Sequence, residues 1–212
     1  MFSIRNGLIM LQNRVTPYGN IIKTNARGHW TGNRGVLHDE NKNILRPFKL
    51  KAWITCLLEF KGRKRQIMTP NHWTELFFWD EATAFAAGHR PCFECRRQDA
   101  NRFKYFWLLG NKEYGFNEKV LIKEIDKILH NERIDSIGAK VTYLADIKIL
   151  PDGCFIEWDG KPWVILKGSI LPWTAAGYGD KVPFPVMGKV KVLTPKSTVN
   201  AFRAGYLVEV RG

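Results

Sequence analysis

Apolar positions change their period twice along the chain. From Phe48 to Phe60 the run FKLKAWITCLLEF alternates in part and then turns β-branched and aromatic, which predicts a strand. Gly62, flanked by Lys61, Arg63, Lys64 and Arg65, predicts a hairpin turn into a second short strand ending near Met68. After Pro70 the period becomes helical. Asp80 is a good N-cap, EATAFAA is helix-prone, and Gly88 stands where a C′ residue would. HRPCFEC interrupts regular structure, a second helix is expected from near Gln98 through NRFKYFWLL, and a third between Asn117 and Asn131. In the third, Leu121, Ile122, Ile125, Ile128 and Leu129 recur at helical spacing and are core candidates. Beyond Arg133 the period shortens again. KVTYLADIKIL, CFIEW and PWVIL read as strands parted by turns at Pro151-Asp152-Gly153 and Asp159-Gly160, and VMGKVKVL and YLVEV add two more. Residues 1–45 hold turn signals such as Pro17-Tyr18-Gly19 and Thr31-Gly32-Asn33-Arg34-Gly35 rather than a period, and are expected to wrap the domain that follows.

Charge adds a partner class to this outline. In 212 residues, 33 Lys plus Arg stand against 20 Asp plus Glu, a net charge of +13 that biases encounter toward polyanions such as nucleic acid. No apolar run approaches the ~18 residues a bilayer span needs, and MFSIRNGLIMLQNR has neither a signal-peptide core nor a small-residue cleavage site. The expectation is a cytoplasmic protein with no membrane partner.

The cysteines bring in chemistry. Cys92 and Cys95 form C-x2-C, whose two thiolates can close around one soft ion while the intervening amides point at the sulfurs. Arg90 and Pro91 give the pair a rigid entry, and Arg96 and Arg97 give it a cationic exit that stabilises thiolates. No strand–turn–helix context of a redox pair surrounds it. The expected metal set is Cys56, Cys92, Cys95 and His89 around Zn2+, with His38, His72, His29 or a water as alternatives for the fourth position. Cys154 follows a turn in the second half and is expected in the core.

The stretch TELFFWDEATAFAAGHRPCFECRR resembles the zinc-binding amino-terminal domain of the Ada alkylation-response proteins over about residues 48–105. The shared features are a helix ending in Ala87-Gly88, the dipeptide Arg90-Pro91, the pair Cys92 and Cys95, and the basic exit at Arg96. The resemblance implies a zinc site whose first ligand pair is an upstream C-x3-C, one cysteine of which accepts a methyl group from a DNA phosphotriester. This chain offers Cys56 there, but Phe60 in place of the second cysteine, which weakens the implication of methyl transfer. The expected fold is α+β: a small zinc-containing α/β module with its wrapping segment over residues 1–132, then a mostly β region over 133–212.

Basic residues concentrate on both sides of the cysteine site. Arg63, Lys64, Arg65, Arg90, Arg96 and Arg97 are the candidate phosphate contacts. Trp73 is the candidate stacking residue, whereas Phe77 and Phe78 are assigned to packing. Trp158, Trp163, Trp173 and Tyr178 suit either a flat-ligand pocket or the inside of a small β-barrel. The leading expectation is a zinc-stabilised protein that contacts nucleic acid, DNA before RNA, mainly through its phosphates. A metal-assisted nuclease is the alternative, using an open zinc position with Glu75, Glu81 or Asp80 as base, or the loop bearing Arg27, His29, Arg34, His38 and Asp39. A zinc-stapled protein or small-molecule interaction module is the third reading. The sequence selects no catalytic residue.

Overall fold

The computed structural model describes residues 10–63, 66–184 and 188–211 and is a mixed α+β fold with two sheets. The first sheet comprises β1 (Gln12–Val15), β2 (Ile21–Lys23), β3 (Trp30–Asn33), β4 (Ile54–Cys56), β5 (Leu76–Phe78) and β6 (Arg90–Pro91), in the order β2-β1-β5-β3-β4-β6. Its β1–β5 and β4–β6 pairs are parallel and the others antiparallel. The early segment expected to wrap the fold thus supplies three strands of this sheet. α1 (Glu81–Ala86) falls between β5 and β6, and α2 (Arg97–Gly110) and α3 (Ile122–Arg133) lie between the sheets in sequence. The second sheet holds β7 (Tyr143–Asp146), β8 (Phe155–Trp158), β9 (Lys161–Leu166), β10 (Ser169–Thr174), β11 (Gly177–Tyr178), β12 (Val182–Pro183) and β13 (Lys189–Val192). Its order is β11-β10-β9-β8-β13-β7, with β12 beside β10, and α4 (Lys196–Arg203) follows.

The three anticipated helices form, but of the core candidates in the third Leu121 precedes the helix and is exposed, and Ile122 and Ile128 are only partly buried. Asp80 caps α1, accepting from the Thr83 N–H at 2.8 Å, and Gly88 takes φ +89° beyond its end. Ile125 and Leu129 of α3 are buried. Expected strands shrink, however. The run from Phe48 to Phe60 is extended and paired only at Ile54–Cys56, no strand forms at Met68, and the YLVEV tail is irregular. α4 starts directly after Pro195, its N-cap, and is not among the expected helices.

All six residues of α1 are buried, which explains its composition. Small side chains let the backbone of a short helix approach neighbours on every side. Ala84 and Ala87 pack with Val15, Leu76 and Phe78 of the first sheet, while Ala82 and Ala86 pack with Phe155 and Val164 of the second. Phe85 enters the main core with Phe103, Trp107, Ile125 and Leu129, and with Ile156, Ile165, Val192 and Phe202 from beyond residue 132. The expected division is therefore not visible as a small module followed by a separate β region. Cys154 is fully buried in that core.

Candidate metal centre

Three cysteine sulfurs converge on one point. The Sγ atoms of Cys56, Cys92 and Cys95 lie within 4.8 Å of one another. Cys56 ends β4, and the parallel β4–β6 ladder sets its height: the Arg90 N–H donates to the Trp53 carbonyl at 3.1 Å and the Cys92 N–H to the Thr55 carbonyl at 2.9 Å. Immediately after β6 the chain turns, with the Arg96 N–H donating to the Cys92 carbonyl at 3.0 Å, so Cys95 swings back toward Cys92. The Glu94 N–H points at the Cys92 Sγ at 3.3 Å.

These sulfurs share protons unequally. The thiol of Cys56 donates toward Cys92, and backbone N–H groups of Cys95 and Glu94 add to it, so the Cys92 thiol is pulled down to about 5 against the cost of its burial. The Cys56 thiol is pushed up by that same hydrogen bond and by burial, and the Cys95 thiol is pushed up by burial. A group held partly as thiolate among close sulfurs is what a soft cation replaces protons in. The donor set therefore fits a metal ion.

The fourth expected ligand is elsewhere. His89 is not in the cluster: its ring is buried against Trp53 and Phe78, and its Nε2 accepts from Arg34 Nε at 3.2 Å. Extended backbone through Arg90-Pro91 sends residues of opposite parity to opposite faces, so His89 and Cys92 diverge. The other histidines are also engaged apart from it. His38 Nδ1 meets Thr74 Oγ1 at 2.6 Å, His72 Nδ1 meets the Pro70 carbonyl at 3.0 Å, and His29 packs edge-on against Trp79.

Two of the candidate phosphate contacts also require correction. Arg90 is buried and grips the two carboxylate oxygens of Asp126 at 2.7 Å each. Arg96 is buried as well, paired with Glu81 and stacked 4.0 Å from the Trp30 ring centroid. Both guanidiniums are thus engaged by carboxylates inside the fold. Arg97 is exposed, and Arg63 is exposed with an ion pair to Glu94 at 2.7 Å. Lys64 and Arg65 lie outside the described residues.

The cluster opens on a cleft of about 230 Å³. Cys56, Cys92 and Cys95 line it together with apolar Leu57, Phe60, Ile67 and Trp73 and charged Arg63, Glu75 and Glu94. Trp73 is 39 % exposed. Glu75 accepts from the Met68 N–H at 2.8 Å, which fixes its carboxylate. Sequence reasoning missed Phe60 and Ile67 as part of the site, and the basic cluster in the sequence between them was the only local hint.

The other proposed sites do not assemble. Glu81 and Asp80 are buried acceptors: Glu81 takes Arg96, Tyr206 and the Glu209 N–H, and Asp80 takes Thr83, Tyr178 and the Arg211 N–H. In the early loop Arg34 is buried and Asp39 closes a turn onto Asn43 at 2.8 Å, so no Arg-His-Asp constellation forms. Trp173 and Tyr178 brace α1 by donating to Thr83 Oγ1 and Asp80 Oδ2.

No protein-family model, curated protein or solved structure matches the chain. Of the Ada resemblance, the three-cysteine cluster is what stands, as a set that could coordinate a metal ion. Among the described residues no helix is long and apolar enough to cross a membrane.

Proposed function

We propose that the protein is a zinc-stabilised nucleic-acid-binding protein whose binding surface is the cleft over the cysteine cluster. The observation that carries this reading is the joining, in one cleft, of the three cysteines with Phe60, Trp73 and Arg63. Flat aromatic faces beside guanidinium groups suit unpaired bases and the phosphates between them. The net charge of +13 favours the same partner at long range. Zinc suits the donor set, because thiolates at a Zn–S distance of about 2.3 Å stand roughly 3.8 Å apart at tetrahedral angles. Cys56, Cys92 and Cys95 hold the ion in this reading, and the ion ties β4 to the start of α2, which fixes the cleft wall.

The test is fluorescence anisotropy with labelled single-stranded DNA and RNA, on protein whose zinc is counted by elemental mass analysis. The expected outcome is near-stoichiometric zinc, lost in Cys92→Ala/Cys95→Ala, and salt-sensitive binding whose log K falls by about 0.7 per phosphate contact for each decade of salt. Trp73→Ala should weaken binding by about 1–3 kcal/mol, the usual size of one base–aromatic stack. Unchanged binding in both Trp73→Ala and Arg63→Ala would remove the cleft from the reading, and no binding at low salt would end it.

The count of three donors among the described residues favours a second reading, metal-assisted hydrolysis of nucleic acid. Three protein ligands leave a position for solvent, and Glu75 lines the same cleft. Cleavage products that disappear on chelation and in Glu75→Gln would select it over binding alone.

A further inference from the structure

On another part of the first sheet, a cavity of about 460 Å³ is lined by Arg34, Arg46, Arg133 and Lys140 and by no Asp or Glu. Arg34 and Arg133 are each 1 % exposed. Charge buried to this degree is normally held by a carboxylate, as Arg90 is held by Asp126 and Arg96 by Glu81. These two are held by neutral groups. Arg34 Nη1 donates to the Gly19 carbonyl at 2.9 Å and Arg133 Nη1 to the Gly88 carbonyl at 2.8 Å, and both guanidiniums lie against the Trp53 ring, 3.8 and 3.9 Å from its centroid. Lys140 donates to the Ala86 carbonyl.

Donors are left over on both arginines. Arg34 Nη2 and Arg133 Nε are buried with no hydrogen-bond partner among the described residues. Nη2 lies 3.8 Å from where a Cβ on Gly19, itself a lining residue, would stand. The nearest acid acting on Arg133 is Asp126, whose two oxygens are taken by Arg90. Mutual repulsion is correspondingly visible: burial and the two arginines pull Lys140 down to about 7, and burial, Arg34 and Arg133 pull His89 well below its usual value.

We propose that this cavity is a binding site for a phosphate-bearing small molecule, its dianionic phosphate held by the cationic side chains that line it, Arg34, Arg133 and Lys140. Two buried guanidiniums call for two negative charges, which a phosphate monoester or inorganic phosphate supplies and a single carboxylate does not. The cavity exceeds what a bare phosphate fills, and Ile21, Ile44 and Ile134 give it apolar wall for the organic part of an ester. None of its lining residues lines the cysteine cleft, so this site stands or falls apart from the proposed function.

The test is isothermal titration calorimetry on the full chain in chloride buffer free of phosphate and sulfate, with inorganic phosphate, AMP and adenosine as probes. Saturable one-to-one binding of phosphate or AMP, with none of adenosine, is the expected result. Phosphate binding as tightly as AMP would mark the free ion as ligand, and AMP binding alone would mark an ester. Lys140→Met, which removes a side chain only partly buried, should weaken affinity at least about tenfold, a loss of about 1.4 kcal/mol, whereas Lys127→Ala on the surface of α3 should leave it unchanged. Arg34→Met should abolish binding, with its fold checked by circular dichroism. No saturable heat from phosphate or AMP up to about 10 mM, adenosine binding as AMP does, or an unchanged affinity in Lys140→Met would each overturn the assignment.

Discussion

At the scale of single residues, the arginines around C-x2-C show how little side-chain type says about role. Arg96 and Arg97 are neighbours of identical chemistry. Arg96 turns inward at the start of α2 to Glu81, whose Oε1 also accepts from Tyr206 at 3.0 Å, while Arg97 faces solvent. Arg96→Met should therefore destabilise the fold by about 3–5 kcal/mol, because Glu81 keeps a buried charge without its cation. Arg97→Ala should stay within about 0.5 kcal/mol, and urea denaturation of the two variants measures the contrast. Cys92 and Cys95 were legible because two cysteines in one turn need no tertiary information to come together. Cys56 was legible as the one cysteine upstream of that pair. His89 was misread because its distance of three positions was counted as proximity, whereas the intervening backbone is extended. Arg96 has a local acid partner in Asp99, three positions on, but the buried acids that hold Arg90 and Arg96 inside lie 36 and 15 positions away, separations at which no local pattern speaks.

At the scale of elements, legibility follows length and capping. The helices α1, α2 and α3 were readable because caps, a C′ glycine or a sustained apolar period lie within each segment. The strands of the first sheet are two to four residues long and alternate too briefly to declare a period, and β6 contains a proline at the site of its ladder. Gly88 is the element-scale residue with the most at stake. It ends α1 with φ +89°, and its N–H donates to the Phe85 carbonyl at 2.9 Å. A Cβ there would stand 2.4 Å from Arg133 Cδ and 2.8 Å from Arg133 Cβ. Gly88→Ala should cost about 3 kcal/mol, from a left-handed backbone position and from displacement of Arg133. A drop in the urea midpoint with an unchanged slope would confirm a local cost, and a loss below about 1 kcal/mol would show that Arg133 moves freely.

At the scale of the whole molecule, the end of the chain locks its halves together. Residues 206–211 run back over α1 and answer its buried acids. Tyr206 donates to Glu81 Oε1, the Glu209 N–H to Glu81 Oε2 at 3.1 Å, and the Arg211 N–H to Asp80 Oδ2 at 3.1 Å. In return the Ala82 N–H donates to the Glu209 carbonyl at 3.1 Å, and Trp30 Nε1 of the first sheet reaches Glu209 Oε2 at 3.2 Å. A chain cut after Arg203 loses the Tyr206 ring from the main core, where it meets Phe85 at 5.4 Å, and leaves Asp80 and Glu81 short of donors. Each deserted buried acceptor costs about 1–3 kcal/mol and the missing ring adds to it, so the melting temperature should fall by more than about 10 °C. Separate folding of residues 1–132 is expected to fail for the same reason, since Phe85, Phe103, Trp107, Ile125 and Leu129 would face water where Ile156, Val192 and Phe202 now stand. Near-ultraviolet circular dichroism of both fragments decides the point. A native-like spectrum from residues 1–132 would mean that the first sheet and its cysteine cluster form a domain in their own right.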